Sequence, residues 1–363
     1  MITPELTEVV ARTLPVMAFL VAITVVAEIA DLAGVFDVAG HATARAARHR
    51  TVVLWLLLSA LAVVVTVFLG LDTTAVLLTP VALTVARQIG VSAAPFVLTT
   101  LFLANTASLF LPVSNLTNLL AVHRFEELGA DHLDVIALAF WPGVAAVVGT
   151  LLVIGVVHRR ALRGRFTAEP PADPHDRFLL RVAAVTCLAI GPLFALGMPP
   201  WLVSSIAAAG LLLVLRWRAP HLLSRIHPPW AMAAVVGLLF LIVQLVVDLG
   251  AGDALGRAAG SGEGLADLAR VAGLGALASN ALNNLPGYLA LEQATASSPT
   301  RLMALLIGTN VAPIITPWGS LATLLWLHRT RAAGVRIGPW SLAAQGTAVA
   351  LVAGGAAVLA LTT

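Results

Sequence analysis

Two polar stretches set in apolar surroundings, 205 residues apart (310−105), carry the side chains best suited to chemistry in this chain. The first, Ala104 to Leu120, holds Asn105, Thr106, Ser108, Ser114, Asn115, Thr117 and Asn118 around Pro112. The second, Gly308 to Leu325, holds Asn310, Thr316, Gly319, Ser320 and Thr323 around Pro317. At the same shift of 205, Asn105 meets Asn310, Pro112 meets Pro317, Asn115 meets Ser320 and Asn118 meets Thr323. Amides and hydroxyls both donate and accept, so the clusters suit a small hydroxylated solute or an oxyanion. Neither contains a lysine or arginine, which favours a neutral species over a highly charged anion. Two polar, proline-broken segments in corresponding halves point to a transporter binding site.

A proline inside a helix removes one backbone bond and clashes with the preceding turn, at roughly 3 kcal/mol. Lipid supplies no compensating water, so the freed backbone groups beside Ser114, Asn115, Gly319 and Ser320 need partners. A half-helix starting near Ser114 would aim amide N–H groups at the centre, where electron-rich oxygens bind. A third polar group, Ser279, Asn280, Asn283 and Asn284, interrupts another apolar region.

Asp72, followed by Thr73 and Thr74, is the sharpest ionisable candidate. A charged group at membrane depth costs about 2.5 kcal/mol or more, so function is its default reading, here proton exchange while substrate occupies the site. Glu28 and Asp31 compete for that coupling role. The nine histidines fall at expected loops or span ends, which argues against an intramembrane enzyme; no catalytic residue, metal site or cofactor is expected. The single cysteine, Cys187, reads as inert packing.

These residues need apolar elements to hold them, and the composition supplies little else. Of 363 residues, 59% are hydrophobic and 11% charged, with a mean hydropathy of +0.96, so the fold class is an all-α polytopic membrane protein. The net charge of +3 comes from arginines in short loops, a topology signal and not a nucleic-acid surface. The acidic start, with Glu5 and Glu8, has the wrong sign for a cleaved signal peptide.

In order, residues 14–36 form a span and 41–50 a cytoplasmic loop with Arg45, Arg48 and Arg50. Residues 51–90 form a re-entrant hairpin with Asp72, Thr73 and Thr74 at its tip, 94–122 a broken span and 133–157 a span. The arginine-rich run 158–165 and the prolines Pro170, Pro171 and Pro174 close the first half. Spans at 178–197 and 201–216 connect to the second half: a span at 231–250, a Gly-rich loop to Gly264, a hairpin at 265–295, a broken span at 301–327 and a span at 340–361. The expected organisation is a first inverted repeat over 1–165, a connection over 166–225 and a second repeat over 226–363, with both termini outside the cell membrane. Read so, every dense arginine loop lies on one side.

The same residues resemble a known family. Asn280-Ala281-Leu282-Asn283-Asn284-Leu285-Pro286 is similar to the signature of ArsB-type arsenite efflux permeases, and so is Ile315 through His328 over nearly its whole length. Ser108 through Asn118 resembles their first-half run, and Asp72 falls where they carry an acidic residue. Trp318 stands where the motif has a small aliphatic residue. The resemblance implies the ion transporter superfamily fold, with two re-entrant hairpins and two broken helices around a central site. It further implies elevator-type motion, a homodimer, and export of arsenite or antimonite as neutral trihydroxides against protons, in some relatives with a cytosolic ATPase. The alternative on the same fold is a sodium-coupled small-anion carrier or a sodium/proton antiporter.

Overall fold

The computed structural model describes residues 4–88, 90–166, 176–231, 234, 235, 238, 252–295 and 297–362. The named elements among them are all helices, with one isolated antiparallel bridge between Arg50 and Arg165. Six are long and apolar enough to cross a membrane: Leu14–Leu32, Thr51–Leu69, His132–Val157, Arg177–Ala195, Pro200–Arg218 and Pro339–Leu361. The protein is therefore an all-α, multi-pass membrane protein. The prolines Pro170, Pro171 and Pro174, and all but a few residues of the expected 231–250 span, lie outside the described residues.

Burial separates two kinds of helix. His132–Val157, Arg177–Ala195, Pro200–Arg218 and the C-terminal helix turn large apolar side chains outward, with Leu152, Leu188, Ile206, Leu213 and Leu351 all exposed, as a lipid-facing surface requires. Ala94–Thr106 and Pro299–Val311 are instead buried on nearly every side, although neither is long enough to span alone. An apolar helix enclosed all round belongs to the core, and these two form its centre.

Four helix boundaries recur at a constant spacing. Ala94–Thr106 and Leu116–Glu127 flank the first break, and Pro299–Val311 and Leu321–Ala332 flank the second. Each boundary recurs at a shift of 205 (299−94, 311−106, 321−116, 332−127). In both, a short polar side chain caps the second half: Asn115 accepts from the Thr117 N–H, and Ser320 from the Thr323 N–H.

Several elements depart from the sequence expectation. The first helix runs Pro4–Leu32 and stops short of 36, and Val35–Ala46 is helical where a loop over 41–50 was expected. That short helix buries Phe36, Gly40 and Ala44 on one face, a packing demand that outweighs the polar composition of its other side. Gly252–Ala259 likewise forms a helix inside the expected Gly-rich loop. The second half of the first broken helix begins at Leu116, not near Ser114, because Asn115 supplies the cap and Pro112–Ser114 make a 3₁₀ turn.

Long-range bonds join the arginine-bearing loops. The Thr51 N–H donates to Gly164 at 3.3 Å, the Phe166 N–H to His49 at 3.1 Å, and the His49 ring N–H to Phe166 at 2.9 Å. His158 bonds Gln345 at 2.8 Å, and the Arg87 guanidinium donates to the Ala333 carbonyl. Elsewhere, buried Arg301 gathers the carbonyls of Ala259, Gly260 and Gly262 at 3.1, 2.6 and 2.5 Å.

Candidate functional site

Asn310 joins the two broken helices. It sits one residue before the end of Pro299–Val311 and is fully buried. Its Oδ1 accepts from Asn115 Nδ2 and from the Thr117 hydroxyl, each at 2.8 Å, while its Nδ2 donates to Asn118 Oδ1 at 2.5 Å. Asn118 in turn donates to the backbone carbonyls of Ser108 at 2.6 Å and Leu111 at 3.3 Å. The carbonyls freed by the 107–115 interruption are thus partly satisfied by a side chain from the next half-helix, as buried backbone groups require. Three predicted residues thus bond directly to a fourth that lies 192 to 195 positions away in sequence.

The remaining predicted residues support this group or stand beside it. Ser108 donates to the Asn105 carbonyl at 2.7 Å, and Asn105 Nδ2 to Leu101 within its own helix at 3.0 Å. Ser114 reaches across to the Val67 carbonyl at 2.9 Å, tying the first break to Thr51–Leu69. Ser320 and Thr323 bond each other at 2.8 Å. The shift that relates Asn105 to Asn310 therefore does not make their bonding equivalent: Asn310 reaches the residues that follow the first break, while Asn105 donates to its own helix.

The polar group at 279–284 closes on the second break. Asn280 donates to the Ala312 carbonyl at 2.9 Å, two residues past Asn310, and accepts from the Thr316 N–H and hydroxyl at 3.0 Å each. Asn283 donates to the Trp318 carbonyl and the Asn284 N–H to the Gly319 carbonyl, both at 2.8 Å. Ser279 is buried and bonds only the Ala276 carbonyl of its own helix. Gly319 leaves no room for a side chain, since a Cβ there would overlap the Pro313 carbonyl.

Asp72 follows Gly70, whose φ of 90° lets the chain turn as most residues cannot. Asp72 to Thr74 are already helical, in the first turn after this break. Thr73 donates to the Leu69 carbonyl and Thr74 bonds Thr66, each at 2.8 Å. Asp72 Oδ1 is buried with no hydrogen-bond partner. No hydrogen bond among the described residues joins Asp72, Thr73 or Thr74 to the Asn310 group. Asp31 is exposed at the end of its helix, and Glu28 accepts from the His227 N–H at 2.8 Å. No hydrogen bond among the described residues joins either to the breaks.

Two buried ionisable residues escaped the sequence reading. Glu292 is 3% exposed, accepts from the Tyr288 hydroxyl at 2.6 Å and lies 3.9 Å from Arg124, which carries it onto the first broken helix. An acidic residue in an apolar helical arm deserved the suspicion given to Asp72. Arg301 sits at the start of the expected second broken span, where its charge reads as an interfacial anchor.

The citrate transporter family (CitMHS) matches residues 3–299 of this chain. The arsenical pump membrane protein of Escherichia coli strain K12 is 30% identical over 343 residues, covering 86% of this chain and 77% of that protein. That of Yersinia enterocolitica is 30% identical over 342 residues, with the same coverage. A 46 kDa membrane protein of Mycobacterium leprae is 24% identical over 366 residues, covering 93% of this chain and 83% of its own length.

Proposed function

The chain belongs to the citrate transporter family, among its ArsB-type permeases, and we propose that this multi-pass membrane transporter exports arsenite or antimonite in exchange for protons. The observation that carries the reading is the group formed by Asn115, Thr117, Asn118 and Asn310: buried, donor and acceptor at once, and free of any cation. A neutral trihydroxide offers three O–H donors and three oxygen acceptors, and such a group can exchange its internal bonds for bonds to that solute at little electrostatic cost. A highly charged anion would ask for arginine or lysine here. The relatives named as arsenical pump membrane proteins support an arsenic-containing solute.

Asp72 is the proton carrier in this reading. Its buried, unpartnered carboxylate oxygen can take a proton without breaking an existing hydrogen bond. The bonds from Thr51 to Gly164 and from Arg87 to Ala333 attach both ends of the 51–88 segment to arginine-bearing loops, which supports a re-entrant hairpin. The common 205-residue shift of the broken helices supports two repeats, inverted as arginine placement requires (299−94, 321−116). Access then alternates between the two sides, by an elevator-type movement.

One observation favours a second reading, a sodium-coupled carrier of a small anion: the citrate transporter family match itself. The capped helix starts at Leu116 and Leu321 present backbone N–H groups that suit a carboxylate, with a bound cation balancing its charge. Expression in a bacterial strain lacking its own arsenite efflux pump separates the two. Raised arsenite tolerance supports the first reading, and a tolerance equal to the empty vector overturns it.

A further inference from the structure

The two breaks differ sharply in the residue that follows the proline. Thr316-Pro317-Trp318-Gly319 answers Leu111-Pro112-Val113-Ser114 at the 205-residue shift (318−113), so Trp318 stands where the first repeat has Val113. Val113 is 3% exposed and has no polar atom in its side chain, whereas Trp318 is 52% exposed. The indole N–H of Trp318 donates to the Asn280 carbonyl at 2.8 Å, and its own carbonyl accepts from Asn283 at 2.8 Å. Trp318 thus grips the turn between Leu265–Ala281 and Asn284–Thr295 from both sides of that turn.

The gripped turn is strained and partly exposed. Asn283 holds a φ of 147°, a conformation that L side chains rarely adopt, and the adjacent Leu282 is 60% exposed. Its contacts with the second break, from Asn280, Asn283 and Asn284, are neutral hydrogen bonds, which can break and re-form without separating charges. The corresponding attachment in the first repeat, Ser114 to Val67, is made by a fully buried hydroxyl.

We propose that Trp318 is a positioning residue that latches the 280–284 turn onto the second break, and that release of this latch opens the site. Although Trp318 is half exposed, its one polar side-chain atom is spent on the turn that would have to lift. The latch deepens the transport reading and rests on it for its link to solute entry, but the contact can be tested without any substrate.

Hydrogen–deuterium exchange on the full chain in lipid nanodiscs reads the latch at the Asn284 and Thr316 amides, both of which bond across it. Trp318→Phe keeps an aromatic ring and removes the N–H. Exchange at these amides should rise about fivefold, the effect of losing one neutral hydrogen bond on a local opening, while 107–115 is unchanged. No acceleration, or equal acceleration at both breaks, would overturn the proposal. Should the variant not fold, the wild type still decides: amides at 282–284 must exchange faster than those at 70–74, and equal protection refutes the latch. In vesicles Trp318→Phe should alter turnover more than KM. If exchange responds as expected but no arsenite moves in wild type or variant, the transport reading fails and the latch stands.

Discussion

Replacing Asn310 with alanine tests whether the two breaks form one structure. The substitution removes three bonds that link the two breaks, to Asn115, Thr117 and Asn118. Interhelical hydrogen bonds in membrane proteins average about 0.6 kcal/mol and reach about 1.7, so the three together are worth roughly 2 kcal/mol. The two donors and one acceptor left behind are buried, and leaving one such group unsatisfied adds about 1 kcal/mol or more. The expected loss is therefore about 3 kcal/mol. Asn105→Ala makes the natural comparison, because Asn105 occupies the equivalent position yet donates only to Leu101 in its own helix. That bond is worth roughly 0.6 kcal/mol, so the two variants should differ by about 2 kcal/mol. Unfolding in mixed detergent micelles, followed by circular dichroism, measures both. A double-mutant cycle with Asn118→Ala should also return a coupling of at least about 0.5 kcal/mol. Equal destabilisation by the two alanines, or zero coupling, would refute the idea that Asn310 ties the halves together.

Further outcomes follow from other contacts. Asp72→Asn should abolish proton-coupled export while expression and stability hold, measured in vesicles and by detergent melting; unchanged export removes Asp72 from the coupling role. Gly319→Ala should cost about 1 to 3 kcal/mol and most transport, since the new methyl overlaps the Pro313 carbonyl. Gly338→Ala, with open space around it, should be silent in both assays. Glu292→Leu should destabilise by about 2 to 4 kcal/mol in the same unfolding titration, because it strips a carboxylate from Tyr288 and Arg124 in a buried setting. Glu127→Leu, at the exposed end of the same chain of charges, should stay within about 0.5 kcal/mol.

Much of this arrangement could be read before any coordinates. Paired prolines and amides at a fixed shift located both breaks, because helix-breaking residues and polar clusters in an apolar run have few other uses in lipid. The pairing made Asn115 the equivalent of Ser320 and Asn118 that of Thr323, and it foretold neither their direct bonds to Asn310 nor the asymmetry with Asn105. Spacing records which residues are equivalent, while bonding depends on which partner lies across the interface. The helix at Val35–Ala46 was missed because three arginines in a short stretch read as a loop, and the buried face at Phe36 and Ala44 depends on neighbours far away in sequence. Glu292 was passed over for a related reason. Its partner Arg124 is 168 positions away (292−124), and nothing local marks the pair.

The central claim is that solute and protons exchange through a site built from both breaks, and flux in everted membrane vesicles addresses it most directly. The account predicts arsenite accumulation driven by an imposed pH gradient in the absence of sodium, lost in Asp72→Asn and sharply reduced in Asn310→Ala. Uptake that requires sodium, takes a small carboxylate and ignores arsenite would contradict it.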